Sequence, residues 1–379
     1  MATTHGVIIA GLGAMGSAAA FHLARRGIRV AGFDRCAPPH TLGSSHGKTR
    51  IIREAYFEDP AYVPMVQRAY RLWGELEDES GATLLLKTGG LMIGRHESEL
   101  IAGAKLSAAR HGLDHKVLSP DEVARRFPCL NPEADMIAVY EPRAGILFPE
   151  VCVRAHLELA RSHGAEIHTH EAVLGWTAET TGVSVRTERA TYNAEYLVIA
   201  AGAWARELLA DLAPPLTVER QVQFWFDPLR EHASFSADRC PVHLWQFDER
   251  RFVYGFPDLG DGVKVAHHHG GVSGSAESLK REIDAAEIDN MRSVLRRFIP
   301  NADGALRSAA VCLYTNTPDG HFWIDRHPAH ANVVIASPCS GHGFKFASVV
   351  GEILADLATH RSASFDLSLF RNRWPCTSL

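Results

Sequence analysis

A strand, a glycine-rich turn, a helix and a second strand follow one another within residues 7–34, and that order constrains this 379-residue chain more than any other feature. Val7–Ala10 is a short apolar run of the kind buried on both faces of a parallel sheet. Gly11, Gly13 and Gly16 then give G-x-G-x-x-G, followed by an Ala-rich helical stretch with Phe21 and Leu23. Gly27 stands where a helix stop belongs, and Ile28–Phe33 is a second apolar strand that ends at Asp34. In such a unit the first glycine makes the tight turn and the second lets a pyrophosphate touch the backbone. The third lets helix pack on strand. Free amide N–H groups and the helix dipole then favour the pyrophosphate, and an acid roughly 20 residues on accepts ribose hydroxyls. A glycine-rich turn in an ordinary β-α-β unit is the plain alternative. Strand, helix, strand and acid in sequence point instead to a dinucleotide, without saying which one.

Composition excludes several classes. Hydrophobic content of 46% and charge of 22% are ordinary for a soluble globular protein, and a chain of this length predicts two structural units. A net charge of −5 gives no reason to expect nucleic acid or an anionic membrane. No apolar run approaches the roughly 18 residues that span a bilayer. No basic stretch precedes the first apolar run, so no signal peptide is expected, and the ending Thr-Ser-Leu does not match the Ser-Lys-Leu peroxisomal address. Seven cysteines without regular spacing read as reduced thiols of a cytoplasmic protein. With no exposed apolar stripe demanding a partner, a monomer is expected.

Along the chain, the segment after Asp34 is a long Pro-, Gly- and Ser-rich connection bearing His46, Lys48, Arg50 and Arg53, and long loops of this kind are more often functional than idle. Residues 61–76 have a helical period, 87–94 read as a turn and a strand, and 99–130 as two short helices with Ser119 capping the second. Pro149 to His163 and Gly164 is a helix with its own start and stop. Strands follow at 167–169, 173–177, 183–187 and 197–200. From about 216 to 272 the pattern becomes aromatic-rich antiparallel strands. Asp284 with Glu287 predicts a capping box before a helix carrying Ile288, Met291, Leu295 and Phe298. A third strand, glycine turn and helix closes the pattern at 332–357. Nucleotide-type pieces at the start, middle and end imply two interleaved units. The predicted fold is α/β (an α+β two-unit chain), a Rossmann-like nucleotide domain of residues 1–80, 141–215 and 315–379 interleaved with an antiparallel-sheet substrate domain of 81–140 and 216–314.

Taken together, GLGAMG at 11–16, SSHGKTRIIR at 44–53, TGGLMIG at 88–94, Tyr254-Gly-Phe-Pro, Cys312-Leu-Tyr-Thr-Asn-Thr-Pro-Asp and Ser340-Gly-His-Gly-Phe-Lys345 resemble the monomeric sarcosine oxidase and N-methyltryptophan oxidase family of FAD-dependent amine oxidases. The resemblance runs almost end to end. It implies FAD held near Gly11, Gly13, Gly16, Asp34 and Ser44 and bound covalently through a thioether to Cys312, with His321 or other basic groups helping that thiol lose its proton. It implies that Lys264, a lysine on an otherwise apolar strand, activates dioxygen through a water at the flavin. Arg53 and Lys345 would hold the substrate carboxylate, and Arg50 would lie near the flavin face. A solvated charge or a salt bridge to Glu54 is the plain reading of Arg53. Tyr254, His268 and Tyr314 would shape the pocket and help the amine shed its proton, a task for a histidine titrating near neutrality. Gly341, His342 and Gly343 would open the last helix toward the flavin.

The run His267-His268-His269 alternates faces on a strand and lacks a partner at ligand spacing, so no metal is expected. Trp245 shares a face with Phe247. Pointing into the site, it would narrow the pocket or stack on a flat substrate ring, which argues against sarcosine itself. The reading is an FAD-dependent oxidase of secondary amino acids, N-methyl or cyclic, whose partners are that small substrate and O2 and whose products are an imine and H2O2. The competing classes are an NAD(P)-dependent dehydrogenase, which shares GLGAMG, and a flavin amine dehydrogenase that passes electrons to a carrier. A tailoring oxidase acting on a cyclic imine-type precursor and a non-catalytic nucleotide sensor complete the set.

Overall fold

The computed structural model of the protein describes residues 4–179, 181–359 and 363–371. Its first sheet grows from the apolar run at the start. Thr4–Ala10 pairs in parallel with Val30–Asp34 on one side and with Thr191–Ile199 on the other. Val30–Asp34 is followed by Glu166–Thr169, also parallel. Thr191–Ile199 divides its outer edge: Thr191–Ala194 takes the antiparallel strand Gly182–Thr187, and Leu197–Ile199 takes Val333–Ser337 in parallel. The period of two along these strands separates two cores. Val7, Ile9, Val30 and Val198 face the helices Ala14–Arg25, Pro149–Ser162 and Ala347–Leu357, while Ile8, Ala10, Phe33, Leu197 and Ile199 form the other face with Trp323.

The aromatic-rich strands form a second sheet of nine strands. Thr217–Phe226, Val263–His268, Arg251–Phe256 and Val242–Asp248 run antiparallel in that spatial order, as the alternation predicts. Two features depart from the expectation. Val242–Asp248 continues into Gly90–Arg95 in parallel register, and Leu306–Asn316, which carries Cys312, pairs antiparallel along the whole of Thr217–Phe226. That last strand has buried residues in succession from Val311 to Thr315, without the polar alternation that marks a one-sided strand. The helix Ala285–Phe298 starts at the capping box of Asp284 and Glu287 and lays Met291, Leu295 and Phe298 against Phe224, Phe226 and Trp245. Trp245 is thereby placed in the outer core of this sheet: it is 0% exposed, its ring centroid lies 5.0 Å from that of Phe298, and its indole N–H donates to His243 Nδ1 at 2.8 Å. Trp245 and Phe247 do share a face, and that face points away from the cleft between the sheets, so Trp245 does not line the site.

A small antiparallel sheet, Arg50–Ile52, Gly145–Leu147 and Leu85–Lys87, joins the two large ones. The first sheet draws its strands from residues 4–34, 166–199 and 323–337, and the second from 90–141 and 217–316. Among the described residues no helix is long and apolar enough to cross a membrane.

Candidate active site

One cleft runs between the sheets from the glycine turn, past Cys312, to Lys345. At its first end the backbone does the work. Gly11 has φ +92°, and a Cβ on Gly16 would stand 1.8 Å from the Gly11 carbonyl oxygen, so the turn can close on the helix only with glycine there. Gly13 lines the cleft, and Ser45 Oγ accepts the amide of Ala14 at 3.2 Å. Asp34 closes the second strand with its carboxylate in the cleft, accepting the amides of Leu12 at 2.8 Å and Cys36 at 2.9 Å. Its first effect is thus to hold the glycine turn itself. Ligand atoms of Asp34, Cys36 and His40 come within 4.8 Å of one another, but both Asp34 oxygens are engaged by these amides.

At the middle, Ser44 donates to Leu313 O at 2.5 Å, next to Cys312. Arg50 donates to Ser44 O at 2.7 Å, to Thr49 O at 2.8 Å and to Cys312 Sγ at 3.4 Å, so the sulfur sits beside a fixed cation. His321, expected to help that thiol, instead meets the hydroxyl of Tyr62 at 3.1 Å and is not brought to Cys312. Lys264 lies one layer behind. Its ammonium donates to Gly47 O at 2.6 Å, Thr49 O at 2.9 Å and Thr49 Oγ1 at 3.0 Å, so Arg50 and Lys264 share the Thr49 carbonyl. Burial, reinforced by the nearby Arg50 charge, holds the Lys264 pKa well below the usual lysine range. The lysine lines a separate small cavity with Trp225 and Phe256 rather than the main cleft.

The far end collects charge. Arg53 is 4% exposed, donates to both oxygens of Glu58 at 2.7 and 2.8 Å and to Ala55 O at 2.9 Å, and lies under the rings of Tyr56 and Phe57. Its carboxylate partner is Glu58; Glu54 pairs with Arg143 at 3.2 Å. Lys345 is 6% exposed and donates to His342 O at 2.9 Å. Burial, with Arg53 close by, brings its pKa down to about 7. His342 takes the hydroxyl of Tyr56 at 2.5 Å on Nδ1 and contacts Gly320 O through Nε2 at 3.0 Å.

His268 Nδ1 and the Tyr314 hydroxyl are 3.1 Å apart. Burial depresses the His268 pKa well below its usual value, so this histidine is a neutral hydrogen-bonding group and not one that titrates near neutrality. The two flanking histidines turn elsewhere, His267 to Asn290 and His269 to Glu219. Tyr254 lines the same wall, its pKa pushed up to about 12 by burial. Gly341 has φ +77°, and a Cβ there would reach 2.6 Å from Tyr314 and 2.8 Å from His268. The last helix begins at Ala347, after a 3₁₀ turn at Phe344–Phe346. Gly341–Gly343 therefore form the approach to the helix, and the expected helical start is displaced by one turn.

The cleft thus brings together every candidate except Lys264, which stands behind Arg50, Gly16, which packs beneath the turn, and Trp245, which lies in the outer core. Sequence reasoning missed Glu58, the carboxylate that neutralises Arg53, and Gln223, whose side-chain Oε1 is buried in the cleft wall without a hydrogen-bond partner. Glu58 follows Arg53 by five residues in an irregular loop, where no helical or strand period pairs them; Gln223 sits in an aromatic strand that reads as core.

The residues fit FAD. The glycine turn leaves backbone bare where a pyrophosphate would lie, and the cleft continues without interruption to the cysteine and the cationic end. A family model described as FAD dependent oxidoreductase matches residues 6–357. The chain is 46% identical over 377 residues to the monomeric sarcosine oxidase of Streptomyces avermitilis, with 98% of each chain covered. It is 34% identical over 367 residues to the N-methyl-L-tryptophan oxidase of Salmonella heidelberg, covering 96% of this chain and 97% of that one. Among solved structures, NikD, described as an unusual amino acid oxidase essential for nikkomycin biosynthesis, superposes with a TM-score of 0.85 at 22% identity over 99% of both chains, a likeness of fold. These relations favour flavin over the nicotinamide reading. The chain belongs to the FAD dependent oxidoreductase family, in the group that holds the monomeric sarcosine oxidases and N-methyl-L-tryptophan oxidases, and is an FAD-dependent oxidoreductase.

Proposed function

We propose that this protein is an oxidase of secondary α-amino acids, N-methyl or cyclic, that converts the amine to an imine and reduces O2 to H2O2. The observation that carries the reading is that Arg53 and Lys345 are both buried at one end of the cleft, with a single carboxylate, Glu58, held by Arg53 and acting on both cations. A substrate carboxylate would meet Arg53 and Lys345, exchanging with Glu58 for part of the Arg53 fork. His268, neutral and held by Tyr314, and Tyr254 would line the amine and accept its hydrogen bond, favouring the uncharged nitrogen. Bound FAD supplies the two-electron chemistry, taking a hydride equivalent from the carbon beside that nitrogen and passing the electrons to O2.

Cys312 is the residue proposed to bind FAD covalently as a thioether, with Arg50 beside its sulfur. The backbone of Gly11 and Gly13, Asp34 and Ser44 would hold the nucleotide, and Gly341, His342 and Gly343 would face the ring. Lys264, which fixes the Thr49 carbonyl it shares with Arg50, would serve O2 reduction as a buried hydrogen-bond donor behind that arginine. With Trp245 in the core, nothing in its bulk argues against sarcosine, which joins the other N-methyl amino acids in the substrate class. The same reading makes the protein a cytoplasmic monomer whose domains follow the two large sheets, 1–80, 141–215 and 315–379 against 81–140 and 216–314.

The test is anaerobic mixing of the yellow protein with sarcosine, N-methyltryptophan and proline, followed by peroxide detection in air. Bleaching by at least one of them with H2O2 release is the expected result. Bleaching without peroxide would make it a dehydrogenase, and no bleaching by any secondary amino acid would remove the substrate class. Acid precipitation should leave flavin on the protein and free it in Cys312→Ser.

A further inference from the structure

Glu141 ends the strand Met136–Glu141 of the second sheet and is 1% exposed. Its carboxylate accepts the amide of Glu54 at 2.7 Å on one oxygen and the amide of Ala55 at 2.8 Å on the other. These are the two amides that directly follow Arg53. The Ala55 carbonyl in turn accepts from Arg53 Nη1 at 2.9 Å. A single buried carboxylate therefore ties the loop of the cationic site to a strand of the opposite sheet, with both oxygens used and the guanidinium hung from the carbonyl of one of the two residues it holds, Ala55. We propose that Glu141 is a positioning residue for substrate binding, its ionised carboxylate holding Arg53 in register to receive the substrate carboxylate. This rests on the assignment of Arg53 and Lys345 to that carboxylate made above.

The charged groups around Glu141 are few. Arg53 and Glu54 face it from the loop, Tyr70 from the helix Val63–Ser80, and Arg143 from the turn after its own strand, where Arg143 is paired with Glu54. Burial pushes the Glu141 pKa up to about 7 against the pull of the two amides. A proton on either oxygen turns an acceptor into a donor facing an N–H, so one tie is lost as pH falls through that value. Lys345 acts in the opposite direction, losing its charge as pH rises through about 7. The two groups together predict a bell-shaped affinity for carboxylates.

The experiment uses the flavin-loaded full chain. The dissociation constant of propionate, read from the flavin spectrum, and KM and kcat for sarcosine are measured from pH 6 to 9 in wild type and in Glu141→Gln, which sets an NH2 donor against one of the amides. The expected variant binds propionate about tenfold more weakly at pH 8 and raises KM alike, with kcat within about twofold, the effect of one lost charge-assisted hydrogen bond. Its acid limb disappears while the alkaline limb remains. Unchanged propionate binding in a fully flavinylated variant, or a wild-type profile with no acid limb, overturns the proposal. The wild-type profile decides the matter even if the variant fails to fold. Wild type that binds no carboxylate at any pH overturns the Arg53–Lys345 assignment instead, and this inference with it.

Discussion

The two ends of the cleft are built on opposite principles. The nucleotide end is organised by the backbone of residues 10–34, where glycines remove side chains, with Ala172–Val173 and Ala200–Trp204 completing its wall. The amine end is made of polar and charged side chains from segments far apart in the chain, Arg53 and Glu58, His268, Tyr314 and Lys345, each buried or half-buried and each perturbed by burial and by its neighbours. A backbone cradle tolerates almost no change of shape but depends little on pH. A cluster of buried charges accepts changes of shape more easily and is set by protonation.

Substitutions that attack this contrast have graded effects. Gly16→Val should do the most damage, since its Cβ alone meets the Gly11 carbonyl at 1.8 Å; the variant should lack flavin and unfold at lower temperature, checked by absorbance and thermal denaturation. Arg53→Met should follow, because it leaves Glu58 buried without its cation; a loss of about 3–5 kcal/mol is expected for breaking such a pair, with kcat/KM for sarcosine down by about a hundredfold or more. If Arg53→Met kept full activity, the charge cluster would be structural only.

Lys264→Met separates the half-reactions. Anaerobic reduction by substrate should be little affected, while reoxidation of the reduced flavin by O2 should slow by about a hundredfold in stopped flow, as for loss of one preorganised electrostatic group. Next comes the pH dependence of Lys345. Its pKa is lowered, so the buried charge works against the fold: stability falls as pH drops from the usual lysine range toward about 7, while the contribution of Lys345 to carboxylate binding is present below that value and lost above it. Lys345→Met should flatten the alkaline limb of the propionate profile. The smallest effect on catalysis belongs to Trp245→Phe. It should leave KM unchanged and cost about 1–2 kcal/mol of stability, measured by urea unfolding, through a looser contact with Phe298 and a lost donor to His243.

The legibility of the two ends differed for the same reason. Gly11, Gly13, Gly16 and Asp34 could be read directly, since strand, turn, helix and acid are local and their periods survive in the chain. Cys312, Arg53 and Lys345 were legible only through resemblance to a family, because nothing in residues 44–53 or 312–319 taken alone shows what packs against them. Glu58 and Glu141 were not legible at all. One pairs within an irregular loop, and the other ends a strand whose polar last residue looks like any solvated turn. Trp245 shows the limit of a correct periodicity: parity determined which neighbours share its face, and the placement of the helix Ala285–Phe298 decided that the face is the outer one.

The sequence by itself determined the dinucleotide unit, the order of most strands and helices, and the aromatic second sheet, because these depend on contacts between near neighbours and on the side-chain period. Only the tertiary structure decided that Lys264 stands behind Arg50, that His268 is neutral, and that Arg53 is shared between Glu58 and a loop tied to Glu141. Those facts are set by burial and by charges on other strands. Desolvation and Coulomb interaction depend on distance in space, which no local pattern records.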